Sequence, residues 1–421
     1  MKKENRNNIW FVARNQLCTG CGICADVCPT GSIQIRLKEG LYQPHLNSTT
    51  CLSDKGCSKC LKVCPGFSID LTKRSEDLFK TNSHSDSYAG YFEACYSGYS
   101  LNQMIRYHSA SGGLLSQFLI FLLNKKFIDG AVVTGFNQND KTTPYVFLAK
   151  TAEEILYVRS LKYCPVNMSN IGNEIKEQEG KFIIVGLPCH IQGFRKRADI
   201  DPAFKRKIVG YFSIYCSSNR SFLATEYLFR KHQINTEEIK YFAYRDEGCL
   251  GFMKIVQNKG DTTLVPYLNY YPGIRSFFKP RRCLSCIDHY GLLADVCFGD
   301  IHIAPYDQDK IGVNSIIVRN PIFNNWVQQA VQEGIISLTN IPAQTVNQSQ
   351  KAMLYPKKKK VYALQYFDRL LGREIVSYDE DLKTIIGIKD IATMLFTELQ
   401  RFIGKHRRLW FLIRLSNLFK R

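Results

Sequence analysis

Cys18-Thr-Gly-Cys21-Gly-Ile-Cys24-Ala-Asp-Val-Cys28-Pro29 and, further on, Cys51-Leu-Ser-Asp-Lys-Gly-Cys57-Ser-Lys-Cys60-Leu-Lys-Val-Cys64-Pro65 decide how this chain is read. The first run has the bacterial ferredoxin spacing C-x2-C-x2-C-x3-C-P, in which the fourth cysteine ligates the other cluster. The second run matches it, except that five residues rather than two separate its first two cysteines. Short loops containing Gly20 and Gly22 can turn three thiolates inward around a cube, and the remote Cys-Pro supplies the fourth corner. The spacing therefore predicts one 4Fe-4S cluster on Cys18, Cys21, Cys24 and Cys64. It predicts another on Cys51, Cys57, Cys60 and Cys28. A zinc module would pair two C-x2-4-C knuckles across a longer gap, and these tight triplets do not.

Working outward, 421 residues leave room for more than one domain, since domains run to roughly 150 residues. Hydrophobic residues make up 45% and aromatics 12%, enough for a sizeable core. Sixteen cysteines would mean disulfides outside the cell, and metal ligands or reactive thiols inside it. The start, Met-Lys-Lys-Glu-Asn-Arg-Asn-Asn, has no apolar segment behind it, and no apolar run is long enough to span a bilayer. The expected compartment is the cytoplasm. The formal charge of +19 invites nucleic acid or membrane as a partner. It is overstated, because clusters with four thiolates each carry negative charge. No nucleic-acid motif accompanies it either, and nucleic acid is set aside. The Lys357–Lys360 run reads as a solvated turn after Pro356.

Residues 1–72 form the ferredoxin-type module, and polar Thr72 to Ser87 reads as a linker. Residues 88–340 carry alternating strand and helix signals. Leu114 to Leu123 is a buried helix entered through Ser111-Gly112-Gly113, and Gly130 to Gly135 is a strand. Thr151 to Glu154 is a capping box. Lys181 to Gly186 and Lys207 to Cys216 are strands, Ser221 opens a helix, Gly312 to Arg319 is strand-like, and Pro321 starts a helix. This alternation predicts an α/β fold, α+β overall, with a mixed, mostly parallel sheet. Arg245 to Gly248 reads as a turn, and Tyr267 to Pro280 as a loop over a site. No internal repeat is seen beyond the two cysteine runs. Residues 341–421 form a C-terminal extension. Within it, Ile391 to Arg421 interleaves Leu395, Phe396, Leu399, Phe402 and Trp410 with basic residues. Such an amphipathic helix either lies on an anionic membrane surface or packs on protein.

A second set of cysteines follows the strands. Cys189 and Cys216 end two of them, and Cys283 and Cys286 form a C-x2-C knuckle. Parallel strands present their C-terminal ends on one edge, where open α/β sheets bind ligands. Spacing alone leaves an iron-sulfur site, a zinc site and unrelated buried thiols all open.

In order, these elements resemble the coenzyme F(420) hydrogenase/dehydrogenase β-subunit family, FrhB/FdhB type, from about Cys18 to Arg319. The residues carrying the resemblance are the ferredoxin pair, Ser111-Gly112-Gly113, Ile128-Asp129-Gly130, Ser160-Leu-Lys162-Tyr163, Gly186-Leu-Pro-Cys189, Tyr215-Cys216, Arg245-Asp246-Glu-Gly248, Cys283-Leu-Ser-Cys286, Ala294-Asp295 and Gly299-Asp300. The resemblance implies FAD beside a third 4Fe-4S cluster held by Cys189, Cys216, Cys283 and Cys286. It also implies cofactor contacts from Ser111, Gly112, Gly113, Lys162 and Tyr163, the turn offering backbone N–H groups at a helix N-terminus. Leu187-Pro-Cys-His190 replaces the family's Thr-Pro-Cys-Gln, and His302 stands where Trp is common. No catalytic residue is assigned.

The expected function is an iron-sulfur flavoprotein oxidoreductase. Electrons would pass between the ferredoxin-type clusters, the third cluster and FAD, to or from a two-electron substrate, a deazaflavin coenzyme or another organic acceptor. A redox partner protein or reduced ferredoxin would supply or take them. Two alternatives stand beside it: a non-catalytic electron-transfer subunit of a larger complex, and a membrane-surface redox component of surface-polysaccharide biosynthesis. The last would place the protein at the inner face of the membrane.

Overall fold

The structure, a computed structural model, describes residues 7–82 and 84–418. The polar residues 1–6, and the basic Lys420 and Arg421, lie outside the described residues. In the first module the strands Ile33–Lys38 and Leu41–Leu46 pair antiparallel. Glu39 and Gly40 join them, with φ of 52° and 74°. Positive φ at both central residues is what a two-residue type I′ hairpin turn requires. The Gly40 carbonyl accepts the Phe222 N–H at 2.8 Å, tying this turn to the large domain.

The large domain is built on an eight-stranded sheet in the order Ile336–Asn340, Ala94–Ser100, Asn314–Val318, Val296–Asp300, Ile208–Ile214, Phe182–Gly186, Gly130–Phe136, Pro144–Ala149. The four strands from Val296–Asp300 to Gly130–Phe136 are mutually parallel, and the flanking pairs are antiparallel. The sheet is thus mixed, with a parallel centre. Side chains alternate between its faces. Phe182 and Ile184 join the core on one side, and Ile183 joins the core on the other. The helices Leu114–Asn124 and Pro321–Gln332 cover the second side. The first side is covered by the helix Pro188–Ile200 together with the cysteine-rich module, whose Ile9, Val12, Ile23 and Val63 share one continuous core with it.

Three expectations are corrected. The stretch read as a linker holds the helix Leu71–Phe79 and the short pair His84–Asp86 and Gly90–Phe92. Leu71, Ser75 and Phe79 recur every fourth residue on its buried face, a stripe that the surrounding polar residues mask in the sequence. Tyr267 to Pro280 is not a loop throughout. Its aromatics form the helix Tyr267–Arg275, with Tyr270, Tyr271 and Ile274 in a third core. That core packs under the three-stranded antiparallel sheet Ile239–Asp246, Phe252–Gln257, Thr262–Pro266. Lys357–Lys360 is not a solvated turn; it opens the helix Lys357–Leu370, and Lys357 is buried. The Thr151 capping box, by contrast, forms as expected.

The tail is two helices, Ile388–Lys405 and Trp410–Leu418, joined by a short turn. It packs on its own chain: Trp410 and Ile413 are buried, and the Trp410 Nε1–H donates to the Gly404 carbonyl at 2.9 Å. A Cβ at Gly404 would stand 2.0 Å from the Phe277 carbonyl, so only glycine allows this approach. The outer face leaves Leu395, Phe396, Leu399 and Phe402 exposed.

Candidate redox centre

The first set of thiols, Cys18, Cys21, Cys24 and Cys64, lines one small cavity of about 10 Å³. Cys24 rides on the one-turn helix Ile23–Asp26, and Cys64 follows the one-turn helix Lys59–Lys62. Cys64 thus comes from the second run, the crossing that the ferredoxin spacing implies. The Gly20 N–H points at Cys18 Sγ and the Gly66 N–H at Cys64 Sγ, each at 3.3 Å. Such bonds to sulfur are among the influences that set cluster potentials. Gly22, at φ 80°, is a position where only glycine serves, because a Cβ would stand 2.0 Å from Asn167 Oδ1.

Cys60 has Cys51 and Cys57 as electrostatic neighbours, and Cys24 in turn feels Cys60. The two sets are therefore adjacent. Burial pushes the Cys60 thiol up to about 11, with backbone N–H groups opposing and Cys51 and Cys57 adding to it. Cys28 lies against Thr30, Sγ to Oγ1 3.8 Å. If it is the fourth ligand of Cys51, Cys57 and Cys60, Cys28→Ser in the full-length protein should cost that cluster and spare the first. Iron counting with EPR checks this, and loss of the first set's signal alone would refute the crossing.

The third set assembles at the C-terminal edge of the parallel strands. Cys189 is the second residue of the helix Pro188–Ile200, directly after the strand Phe182–Gly186. Cys216 follows the strand Ile208–Ile214, its N–H bonded to the His289 carbonyl. Cys283 sits on the short helix Arg281–Leu284, and Cys286 follows at the close of the same turn. Cys189 has Cys216, Cys283 and Cys286 as electrostatic neighbours, and also Cys21 of the first set. All four keep part of their surface uncovered, whereas Cys95, Cys164 and Cys297 are fully covered core thiols. Burial first, and neighbouring thiols after it, push the Cys189 thiol well above its ordinary range. Burial likewise pushes Cys216 up to about 12, although Lys357 opposes it. Thiols crowded in this way ionise together only around a cation.

Among the described residues, no three His, Cys, Asp or Glu side chains converge as ligands of a single metal ion do. Four thiolates around a cube stand wider than four around one zinc ion, with its Zn–S bonds of about 2.3 Å. Fixed positive charge surrounds the sets. Lys357 Nζ donates to the carbonyls of Cys216 and Asp288 at 3.0 and 3.1 Å. Arg220 and Arg282 are buried alongside, each with an unpaired Nε–H. Orphaned donors and four thiols that face one shared cavity fit an iron-sulfur cluster.

The same edge carries a polar group that the sequence did not single out as a unit. Asp300 ends the strand Val296–Asp300, and Arg245, almost wholly buried, meets its Oδ2 at 2.6 Å. His302 Nε2 approaches the same oxygen at 3.1 Å. Burial alone would raise the Asp300 carboxyl; Arg245 and His302 override it and hold the carboxyl well below the usual range. Tyr163 packs edge-on or tilted against Tyr244, Tyr267 and Tyr271, its ring centre 4.8 Å from that of Tyr271. Arg245 lies over Tyr267 at 5.1 Å.

Ser111, Gly112 and Gly113 stand beside this group, but their donors are partly used. The Ser111 hydroxyl donates to the Val313 carbonyl, and the Leu114 N–H to Asn314 Oδ1 at 3.1 Å. Lys162 is engaged locally. Its Nζ donates to the Val158, Arg159 and Ser160 carbonyls, and burial lowers its pKa to about 7. Tyr163, Tyr267 and Tyr271 pack on one another with the Arg245 cation over Tyr267, and Asn314 takes the N–H that follows the Ser111–Gly113 turn.

Residues 95–171 and 179–344 match the models for the N-term and the C terminus of the coenzyme F420 hydrogenase/dehydrogenase beta subunit, and residues 17–67 match a 4Fe-4S dicluster domain. The chain is 25% identical over 337 residues to a subunit of the F(420)H(2) dehydrogenase of Methanosarcina mazei, covering 76% of this chain and 84% of that one. It is 23% identical to the coenzyme F420-dependent sulfite reductase of Methanocaldococcus jannaschii, over 72% of this chain but only 44% of that one. Its fold is similar to a chain of the F420-reducing [NiFe] hydrogenase complex of Methanosarcina barkeri, with a TM-score of 0.52 and 22% identity. That match covers 68% of this chain and 96% of the other.

Proposed function

This chain belongs to the coenzyme F420 hydrogenase/dehydrogenase beta-subunit family, and from that premise we propose that it is an iron-sulfur flavoprotein oxidoreductase with three 4Fe-4S clusters and FAD. The observation that carries the reading is the position of Cys189, within electrostatic reach of Cys216, Cys283 and Cys286 and also of Cys21. Cys18, Cys21, Cys24 and Cys64 would hold the first cluster, Cys51, Cys57, Cys60 and Cys28 the second, and Cys189, Cys216, Cys283 and Cys286 the third. FAD, when bound, exchanges electrons singly with clusters and in pairs with a hydride donor or acceptor. Tyr163, Tyr267 and Tyr271 offer the ring its flat faces. Arg245 keeps Asp300 ionised and fixes its direction, and His302 is placed to hold a proton at Nε2 against that carboxylate. Ser111, Gly112 and Gly113 contribute backbone polarity at the same edge.

Both named relatives with a stated activity are oxidoreductases, and one is a subunit of a larger assembly. A redox protein partner is proposed on that ground, together with a two-electron substrate of the deazaflavin class or another organic acceptor. Anaerobic purification of the full-length chain should return about twelve iron atoms, four per cluster, with stoichiometric flavin. Iron without flavin would favour a purely electron-transferring subunit.

The exposed row Leu395, Phe396, Leu399 and Phe402 favours a second, compatible reading, attachment to an anionic membrane surface. Part of the tail's basic charge is already committed, Lys405 to Glu39 and Arg407 to Glu226. Apolar insertion should therefore dominate over charge. Changing Leu399 and Phe402 to Ser should reduce co-sedimentation with anionic vesicles severalfold. Equal sedimentation of wild type and variant would remove the idea.

A further inference from the structure

Among the described residues, Arg282 is the guanidinium that stands between the first and third sets. Its residue is only 3% exposed. Nη2 donates to the carbonyl of Pro65, next to Cys64 of the first set, at 3.0 Å. Among the described residues, Nε and Nη1 have no hydrogen-bond partner. The phenol of Tyr378 donates its proton to the Ser285 carbonyl and presents its oxygen to the guanidinium as a neutral acceptor. No carboxylate pairs with it among the described residues. Its anionic neighbours are thiols: Cys18 on one side, Cys189, Cys283 and Cys286 on the other.

Removing an ion from water costs several kcal/mol unless a counter-charge and hydrogen bonds replace the solvent. Other deeply buried arginines of this chain are better answered. Arg245 has Asp300 and Arg197 has Asp26. Arg319 and Arg220 also lack a carboxylate, but Arg319 donates to four backbone carbonyls and Arg220 to Ser218, Asn219 and the Tyr271 hydroxyl. For Arg282 the negative charge in reach is what the two thiolate sets carry when loaded with iron.

We propose that Arg282 is the shared counter-ion of the first and third clusters, donating Nε–H and Nη1–H to their sulfurs. The inference rests on the reading of both sets as 4Fe-4S cradles and adds a role for a residue outside them. Arg282 makes an added electron less costly on either side, so it raises both reduction potentials together. In the step it assists, one electron moves; one side is oxidised as the other is reduced, and no bond or proton changes hands. Because one charge serves both sides, the electron crosses between them without a large change in electrostatic energy. Arg282 is a positioning residue and holds no iron.

The test is a potentiometric EPR titration of the full-length, iron-loaded protein as wild type, Arg282→Gln and Arg282→Lys. The signals are assigned by their loss in Cys57→Ser and in the Cys283→Ser, Cys286→Ser double variant. Arg282→Gln should lower the reduced-to-oxidised ratio of the first and third clusters about tenfold at a fixed potential. That corresponds to about 59 mV for a one-electron couple. The second cluster should stay where it was. Arg282→Lys, which keeps the charge but not the forked donors, should fall between. Unchanged potentials in Arg282→Gln with full iron would overturn the inference. So would iron loss of equal extent in both variants, which would make Arg282 a packing residue. Wild type lacking about twelve iron atoms would instead defeat the underlying cluster reading.

Discussion

Replacing Cys283 and Cys286 together by Ser should remove one cluster of three and leave the two in the cysteine-rich module intact. The two residues lie on and just after a one-turn helix, and neither is itself one of the apolar residues of the core that the module shares with the sheet, although Ile287 next to them is. The fold should therefore survive their loss. Serine keeps the size and a hydroxyl, but not the soft thiolate that iron-sulfur sites require. The iron count should drop by about a third, and flavin reduction by a dithionite-reduced ferredoxin should slow by orders of magnitude. Anaerobic stopped-flow of flavin bleaching measures this directly. If the pair were only core thiols, the double variant would instead lower domain stability with no selective loss of iron. A folded variant with unchanged iron and unchanged bleaching would dispose of the third cluster.

Asp26→Ala should destabilise the whole protein by about 3 kcal/mol, the lower end of the range for stripping one partner from a buried ion pair. Asp26 pairs with Arg197 where both side chains are essentially inaccessible, at 0% and 1% exposure. It also accepts the Gly172 N–H at 2.9 Å. Arg197 would be left with Asn173 and, at 3.3 Å, Asp201, which is why the loss is not larger. Equilibrium urea denaturation of wild type and variant gives the difference. A loss below about 0.5 kcal/mol, ordinary for a surface site, would mean that the pair is not holding the module to the sheet. Asp26 lies between Cys24 and Cys28, so the same substitution should also loosen the first set and increase iron loss on dilution.

The cysteines were legible because their chemistry imposes spacing. Three thiolates must reach one cube from a short loop, and that pattern survives without any knowledge of the fold. The apolar strands Gly130–Phe136 and Phe182–Gly186 were legible because strands buried on both faces show as continuous runs. What was hidden depended on distant partners. The helix Leu71–Phe79 buries only a narrow stripe beneath charged neighbours. Lys357 looks like one more surface lysine until the carbonyls of Cys216 and Asp288, far away in sequence, are brought to it. Asp300, His302 and Arg245 form a group only because a strand end and an antiparallel hairpin meet. Beside Ser111-Gly112-Gly113, the N–H that follows at Leu114 is taken by Asn314 from another strand, a partner the local sequence does not show.

The cysteine-rich module and the sheet share one core, and the Met168 N–H is bonded to the Cys21 carbonyl at 2.9 Å. Soluble ferredoxins must diffuse, collide and orient before they deliver. On the function proposed above the carrier would be built in, and that search would be completed once, during folding. Transfer between the first and third sets should consequently be first order, indifferent to protein concentration and to added glycerol. Only the arrival of electrons from outside would respond to viscosity and salt.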